Sequence, residues 1–220
     1  MIEFPDPNLA DDEGLVAMGG EITPEFLLSA YQQGLYPWFC KDEPILWWSP
    51  NPRMILYPDK FNLRKSLRQI IRKNTFEIRV DTAFREVITN CSNVKRSHED
   101  ETWITPEIID GYAQLHELGY AHSFESYFEG QLVGGLYGLS MGNCFFGESM
   151  FFIKTDASKV AFYHLVQFAH KHKFAFIDAQ QNTGHLKSLG AEEVTRPNFL
   201  KMLKKALQHK TLRGKWTDLV

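Results

Sequence analysis

Three side chains in the second half of the chain suggest chemistry by type and spacing. Glu148 stands inside an apolar run, Cys144–Phe152, and Asp178 ends a short apolar stretch, 174–178, with Gln180 two residues further on. A carboxylate on a buried strand is costly unless a partner answers it, and residues two apart on a strand share a face. Two carboxyl groups beside one apolar pocket could bind a cation, orient an amine or act as a general base. Spacing alone favours a helix cap or a core hydrogen bond for each acid over catalysis. Other chemistries find less support. His170 and His172 diverge on one helix with no third ligand near them in sequence, which speaks against a metal site. There is no G-x-S-x-G elbow of a hydrolase. Cys40, Cys91 and Cys144 are widely spaced without a C-x-x-C pair, so neither a disulfide framework nor a zinc ribbon is indicated. Cys144 has no basic neighbour to activate it.

The elements that would position these groups belong to an ordinary globular chain. Its 220 residues are 44% hydrophobic, enough for one large domain or a small one joined to a typical one. Net charge is -3, which excludes a chain-wide polyanion binder and requires any nucleic-acid contact to come from a local patch. Residues 60–73 offer one. They read as an amphipathic helix with Phe61, Leu63, Leu67, Ile70 and Ile71 on one side and Arg64, Arg68 and Arg72 at i, i+4, i+8, flanked by Lys60, Lys65 and Lys73. A solvated face and a phosphate contact both fit that stripe. No apolar run approaches the ~20 residues of a membrane span and neither end carries a secretion signal, so a cytoplasmic protein is expected.

An extended acidic arm of about a dozen residues is followed by a turn-rich strand segment, 14–21. A helix over 25–33 is capped by Thr23 and closed by Gly34, and two aromatic clusters, 36–39 and 47–53, are held extended by prolines. Trp in these clusters suits a covering flap or a stacking surface equally. After the basic helix come a strand over 76–80, a helix over 82–89, a charged loop over 92–102 and a helix over 106–118 capped by Thr105. A strand over 121–128 and a hairpin over 131–152, turning at Gly142-Asn143, form an antiparallel meander. Gly134, Gly135 and Gly147 within it suggest a bulge or a close approach to a ligand, and regular alternation puts Cys144, Phe146, Glu148, Met150 and Phe152 on one face. Thr155 or Asp156 caps a long helix over 157–172, a buried central strand covers 174–178, and a basic helix over 198–209 follows. The fold class is α+β with a mixed sheet.

Several long strings narrow the function further. Residues 21–39 (EITPEFLLSAYQQGLYPWF), 44–53 (PILWWSPNPR), 102–105 (TWIT), 133–138 (VGGLYG), 147–151 (GESMF), Ala157-Ser158-Lys159, and 177–180 (IDAQ) with His185 and 188–191 (SLGA) together resemble the leucyl/phenylalanyl-tRNA-protein transferases. The order and number of these strings make the resemblance far more specific than one short pattern. It implies a small N-terminal domain, 1–53, followed by a GNAT-like catalytic domain, 54–220, with a mixed, mainly antiparallel sheet. It also implies transfer of Leu or Phe from Leu-tRNA or Phe-tRNA to the α-amine of proteins beginning with Arg or Lys, which marks them for degradation. No cofactor, metal or membrane is expected, and the working form is expected to be a monomer.

By the same resemblance, Asp178, Gln180 and Glu148 occupy catalytic positions. Gln180 would hold the amine or the ester carbonyl, Asp178 would orient Gln180 and take up positive charge, and Glu148 would face a cationic amine at the pocket mouth. The aminoacyl pocket maps to Leu136, Met150, Phe162, Leu165, Ala169 and Ile177, with Ala169 small where relatives carry larger side chains. Trp38 and Trp103 match rings that sandwich the terminal adenosine, and Arg64, Lys65, Arg68 and Arg72 would meet tRNA phosphates. Ala179 stands where cysteine is common in relatives, which argues against an obligatory thiol. Two rivals remain. A GNAT-type acyl-CoA transferase would need a glycine-rich phosphate loop before residue 157, where Lys154-Thr155-Asp156 stands instead. A non-catalytic RNA-binding module would leave Asp178, Gln180 and Glu148 unexplained.

Overall fold

The computed structural model describes residues 2–94 and 102–220, so most of the charged loop expected over 92–102 lies outside the described residues. Two sheets carry the architecture. A three-stranded sheet, in the order β1 (Leu15–Met18), β3 (Leu46–Trp48), β2 (Tyr36–Pro37), is built from the N-terminal segment together with helix α1 (Pro24–Gln32). The seven-stranded sheet uses β4 (Arg53–Leu56), β5 (Glu77–Val80), β6 (Ala121–Phe128), β7 (Gln131–Met141), β8 (Cys144–Phe152), β9 (Phe176–Gln180) and β10 (Glu192–Val194). Their spatial order is β10-β4-β9-β8-β7-β6-β5, antiparallel throughout except for the β8/β9 pair. This is the α+β class with the mixed, mainly antiparallel sheet expected of a GNAT-like domain.

Helices cover both faces of the large sheet. On one side α1, α3 (Phe84–Ser92), α4 (Pro106–Glu117) and α7 (Arg196–Ala206) share a core with Cys144, Phe146 and Phe151. On the other, α5 (Ala157–Lys171) packs its Phe162, Leu165 and Phe168 against Leu136, Phe145 and Ile177. Burying this much apolar surface is the dominant favourable term in folding. The caps read from sequence hold at two helices: Thr23 and Thr105 accept the Phe26 and Ile108 N–H groups, satisfying donors that the first helical turn leaves open. At α5 they do not. Asp156 precedes the helix with φ 69° and its carboxylate pairs with Lys159 at 2.7 Å instead.

The basic helix is shorter than its pattern. A single 3-10 turn, Pro58–Lys60, leads into extended chain, and α2 spans Lys65–Arg72 with Arg64 just outside it. Tertiary contacts override the period here. Asn62 N–H donates to the Leu189 carbonyl at 2.8 Å, and Gly190, at φ 100°, lets the Lys60 carbonyl approach closer than a Cβ would permit. Of the apolar stripe, Leu67 is buried in α2, while Phe61 packs against the rings of Phe162 and Tyr163 on α5.

The hairpin β7/β8 contains the bulge that its glycines suggested. Tyr137 pairs with Ser149, but Gly138 pairs with Gly147, leaving Glu148 as an extra residue on β8. An added residue reverses the alternation beyond it. Phe146 and Phe151 therefore face one core, while Phe145 and Met150 face the other. The expectation that Met150 shares a face with Phe146 is corrected by this shift. After α7 the chain returns along the α5 side of the sheet. Trp216 is fully buried there, stacked on His122 at 3.6 Å and on Phe168 at 4.3 Å, with its backbone N–H donating to Asp81 and its indole N–H to the Leu212 carbonyl.

Candidate active site

A cleft of about 400 Å3 opens where β9 ends beside the bulge of β8. Its apolar wall is made by Leu136, Met150, Phe162, Leu165 and Ile177, and its rim by Tyr36, Trp38 and Trp103. Five of the six expected pocket residues thus meet in one place, as do the two expected stacking rings. Ala169 is the exception: it lies further along α5, fully buried in the core, and does not line the cleft. The wall exists because Leu136 and Met150 pair directly across the hairpin, and the bulge has turned Met150 toward α5.

Asp178, Gln180 and Glu148 also border this cleft. Gln180 Nε2 donates to Glu148 Oε1 at 2.9 Å, and Gln180 N–H donates to Asp178 Oδ1 at 2.9 Å. Gln180 adopts φ 60°, the left-handed region that a side-chain-bearing residue enters only where surrounding contacts impose it. On a regular continuation of the strand Gln180 would share a face with Asp178; β9 does reach Gln180, but its backbone turns there. The turn in its backbone, rather than simple alternation, brings its amide to Glu148.

Glu148 collects further donors from helices distant in sequence. Tyr31 on α1 donates to Oε1 at 2.6 Å, and Tyr112 on α4, whose hydroxyl lies 3.2 Å from Oε2 and also against the Tyr31 hydroxyl, shares its one proton between those two acceptors. Glu148 keeps some surface on the cleft although protein donors surround its carboxylate. Burial raises its pKa most, the Tyr31 hydrogen bond opposes this, and the Asp178 charge raises it again; the balance is about 7. Burial and the Glu148 charge together push both phenols well above the ordinary tyrosine value. Burial, with a smaller push from Asp178, also raises the Cys144 thiol well up, so this cysteine is no nucleophile.

Asp178 has a partner that sequence reasoning did not assign. Arg53 donates from Nε and Nη2 to Oδ1 and Oδ2 at 2.9 and 2.7 Å, and both side chains are wholly inaccessible. Burial alone would lower the Arg53 pKa, but the charge and hydrogen bonds of Asp178 outweigh it and leave the guanidinium above its ordinary value. Arg53 was visible within PILWWSPNPR, yet nothing in that string points 125 residues along to Asp178. Tyr31 and Tyr112 gave no signal, because a tyrosine on the apolar side of a helix reads as core.

Arg64, Lys65, Arg68 and Arg72 stay exposed and line a shallow groove with Asn62, Leu63 and Gln69. The groove is distinct from the cleft.

Comparison with known proteins identifies the lineage of this site. The family model described as leucyl/phenylalanyl-tRNA protein transferase matches residues 55–204, and the model for the N-terminal domain of the same proteins matches residues 20–51. The chain belongs to the leucyl/phenylalanyl-tRNA protein transferase family. It is 52% identical to the leucyl/phenylalanyl-tRNA protein transferase of Desulfatibacillum aliphaticivorans, across 97% of this chain and 92% of that one. It is 51% identical to the transferase of Maridesulfovibrio salexigens, across 97% and 89%. With that of Legionella pneumophila strain Corby it shares 50% identity across 97% and 96%. As a member of this family the protein is an aminoacyltransferase. No helix among the described residues is long and apolar enough to cross a membrane.

Proposed function

We propose that this transferase moves Leu or Phe from Leu-tRNA or Phe-tRNA to the α-amine of proteins that begin with Arg or Lys, marking them for degradation. The observation that carries this reading is the meeting, in one cleft, of an apolar wall and a polar Gln180–Glu148 pair beneath two tryptophans. A leucyl or phenylalanyl side chain fits against Leu136, Met150, Phe162, Leu165 and Ile177, where its burial supplies binding energy. Trp38 and Trp103 take the terminal adenosine, at about 1–3 kcal/mol per stacked base. The groove along α2 meets phosphates of the acceptor stem through Arg64, Lys65, Arg68 and Arg72, independently of sequence.

The aminoacyl ester is already activated, so the enzyme must mainly position the reactants and handle one proton. The acceptor nitrogen attacks the ester carbonyl; the C–N bond forms and the bond to the tRNA ribose oxygen breaks. The α-ammonium first gives up one proton to solvent to become the nucleophilic amine; as that amine attacks, Glu148 accepts the second proton from its nitrogen and passes it to the departing ribose oxygen. Its pKa of about 7 lies close to the ~7.7–8.0 of an α-amine, which favours transfer in both directions. Gln180, committed through Nε2 to Glu148, offers its carbonyl oxygen to the amine. Asp178, its charge answered by Arg53, fixes the Gln180 backbone. A division of labour between residues 1–53 and 54–220 is supported by the two family matches, which break between 51 and 55. The aminoacyl-tRNA substrate supports placing a monomer in the cytoplasm.

Incubation with labelled Leu-tRNA or Phe-tRNA and a peptide beginning with Arg tests the reading, with acetyl-CoA as the competing donor. Label on the peptide α-amine supports it. Acetylation without aminoacylation would favour the acyl-CoA rival.

A further inference from the structure

Arg53 is a buried charge to which the proposed chemistry gives no direct role. It opens β4, is wholly inaccessible, and lies between the rings of Tyr36 and Phe199 at 4.7 and 4.5 Å. Nη1 reaches the Gly34 carbonyl at 3.4 Å, so α1, β2 and α7 all bear on one guanidinium. Its other two donors form a fork on both oxygens of Asp178. Such a fork fixes the plane of a carboxylate as well as its position, which a lysine ammonium cannot do. Asp178 Oδ1 in turn accepts the N–H of Gln180, the residue whose φ is 60°. The β4/β9 ladder is irregular at this level, pairing Met54 with Gln180 but Ile55 with Asp178. The pairing thus skips Ala179, and the Asp178 carboxylate bridges the skipped residue.

We propose that Arg53 is a positioning residue for aminoacyl transfer: by fixing the plane of Asp178 it holds the Gln180 turn, and with it the amide that meets Glu148. The kinetic part rests on the proposed function; the structural part does not. Arg53→Lys keeps the charge and removes the fork. Hydrogen exchange at the Gln180 amide should quicken at least tenfold in this variant while the Ile177 amide exchanges as before. With Phe-tRNA and an Arg-peptide, kcat should fall at least tenfold with either KM changed less than about threefold. In a Gln180→Gly background the same substitution should cost less than twofold, because the residue it acts through is gone. Phe199→Leu, which loosens Arg53 without touching the ion pair, should lower kcat in the same way by a smaller factor; it provides the kinetic test should Arg53→Lys fail to fold. Unchanged exchange at Gln180, an unchanged kcat, or equal losses in both backgrounds would overturn the proposal. Failure of the unaltered protein to transfer Phe or Leu would sink the functional reading and leave the exchange result to decide the role of Arg53.

Discussion

Gln180 Nε2 and Glu148 Oε1 lie 2.9 Å apart, joining the end of β9 to the middle of its parallel neighbour β8. Each group is where it is through an irregularity: Glu148 is the extra residue of a bulge and Gln180 occupies a left-handed turn. The pair is thus held by backbone features as well as by its own hydrogen bond, and pre-set geometry of this kind is what an already activated ester requires.

Removing the amide should cost turnover more than binding. Gln180→Gly keeps the left-handed backbone accessible, and we expect kcat for Phe transfer to fall about 100-fold, within the range of a positioned proton-handling group. The Kd for Phe-tRNA should change less than threefold, measured by filter binding on the same preparation.

The pH dependence follows from Glu148. Its base form prevails above about 7, so Glu148 should add to kcat/KM an acid limb of about tenfold per pH unit below that value, on top of the limb that the acceptor α-amine contributes below ~7.7–8.0. Glu148→Gln should abolish this acid limb. The same group carries a stability term. Its folded pKa is raised above the unfolded ~4.3, so between these values the folded state holds the proton that the unfolded state has lost, and stability falls as pH rises toward 7. Glu148→Gln lacks that loss and should be the more stable protein at pH 8, by on the order of 2–3 kcal/mol or less given the partial exposure, with the gap closing by about pH 4. Urea titrations at pH 4 and pH 8 measure it.

Pocket width should set the choice of aminoacyl group. Met150→Ala enlarges the wall opposite α5, and Trp-tRNA should gain about tenfold on Leu-tRNA in kcat/KM, the scale on which one or two methylenes discriminate. An unchanged ranking of Leu, Phe and Trp donors would move the pocket elsewhere.

The exposed groove on α2 should act through salt. With Arg64, Arg68 and Arg72 all replaced by Ala, log Kd for tRNA should depend on log salt less steeply by about 2 units. The rate at saturating Phe-tRNA should hold within about twofold, since the groove and the cleft are separate.

Trp216 lines neither the cleft nor the groove but braces α5. Trp216→Ala should cost about 3–5 kcal/mol of stability in urea unfolding, because the ring packs against Phe168, His122, Phe124 and Phe145.

Much of this arrangement could be read from residue order. The hairpin, the capping threonines at 23 and 105, the apolar stretch ending in Asp178 and the glycines that announce a bulge all have local causes, and local causes are legible. Of the positions assigned by resemblance, Leu136, Met150, Phe162, Leu165, Ile177, Trp38 and Trp103 all line one cleft. What was hidden depends on distance along the chain. The start of α2 is set by Leu189 and Gly190, the face of Met150 by one unpaired residue, and the partner of Asp178 by a strand from the other half of the molecule. Ala169 carried the family position but not the exposure to the cleft.

The insertion of β4 between β9 and β10 has a kinetic meaning. Arg53 and Asp178 meet across 125 residues of intervening chain, and closing so long a loop is among the slower events in folding. Partly folded molecules that have joined β7, β8, β9 and α5 but not this junction would possess the apolar wall without an ordered Gln180. Competence to react should therefore lag behind the appearance of secondary structure during refolding, and an immature chain would shelter an aminoacyl group without discharging it.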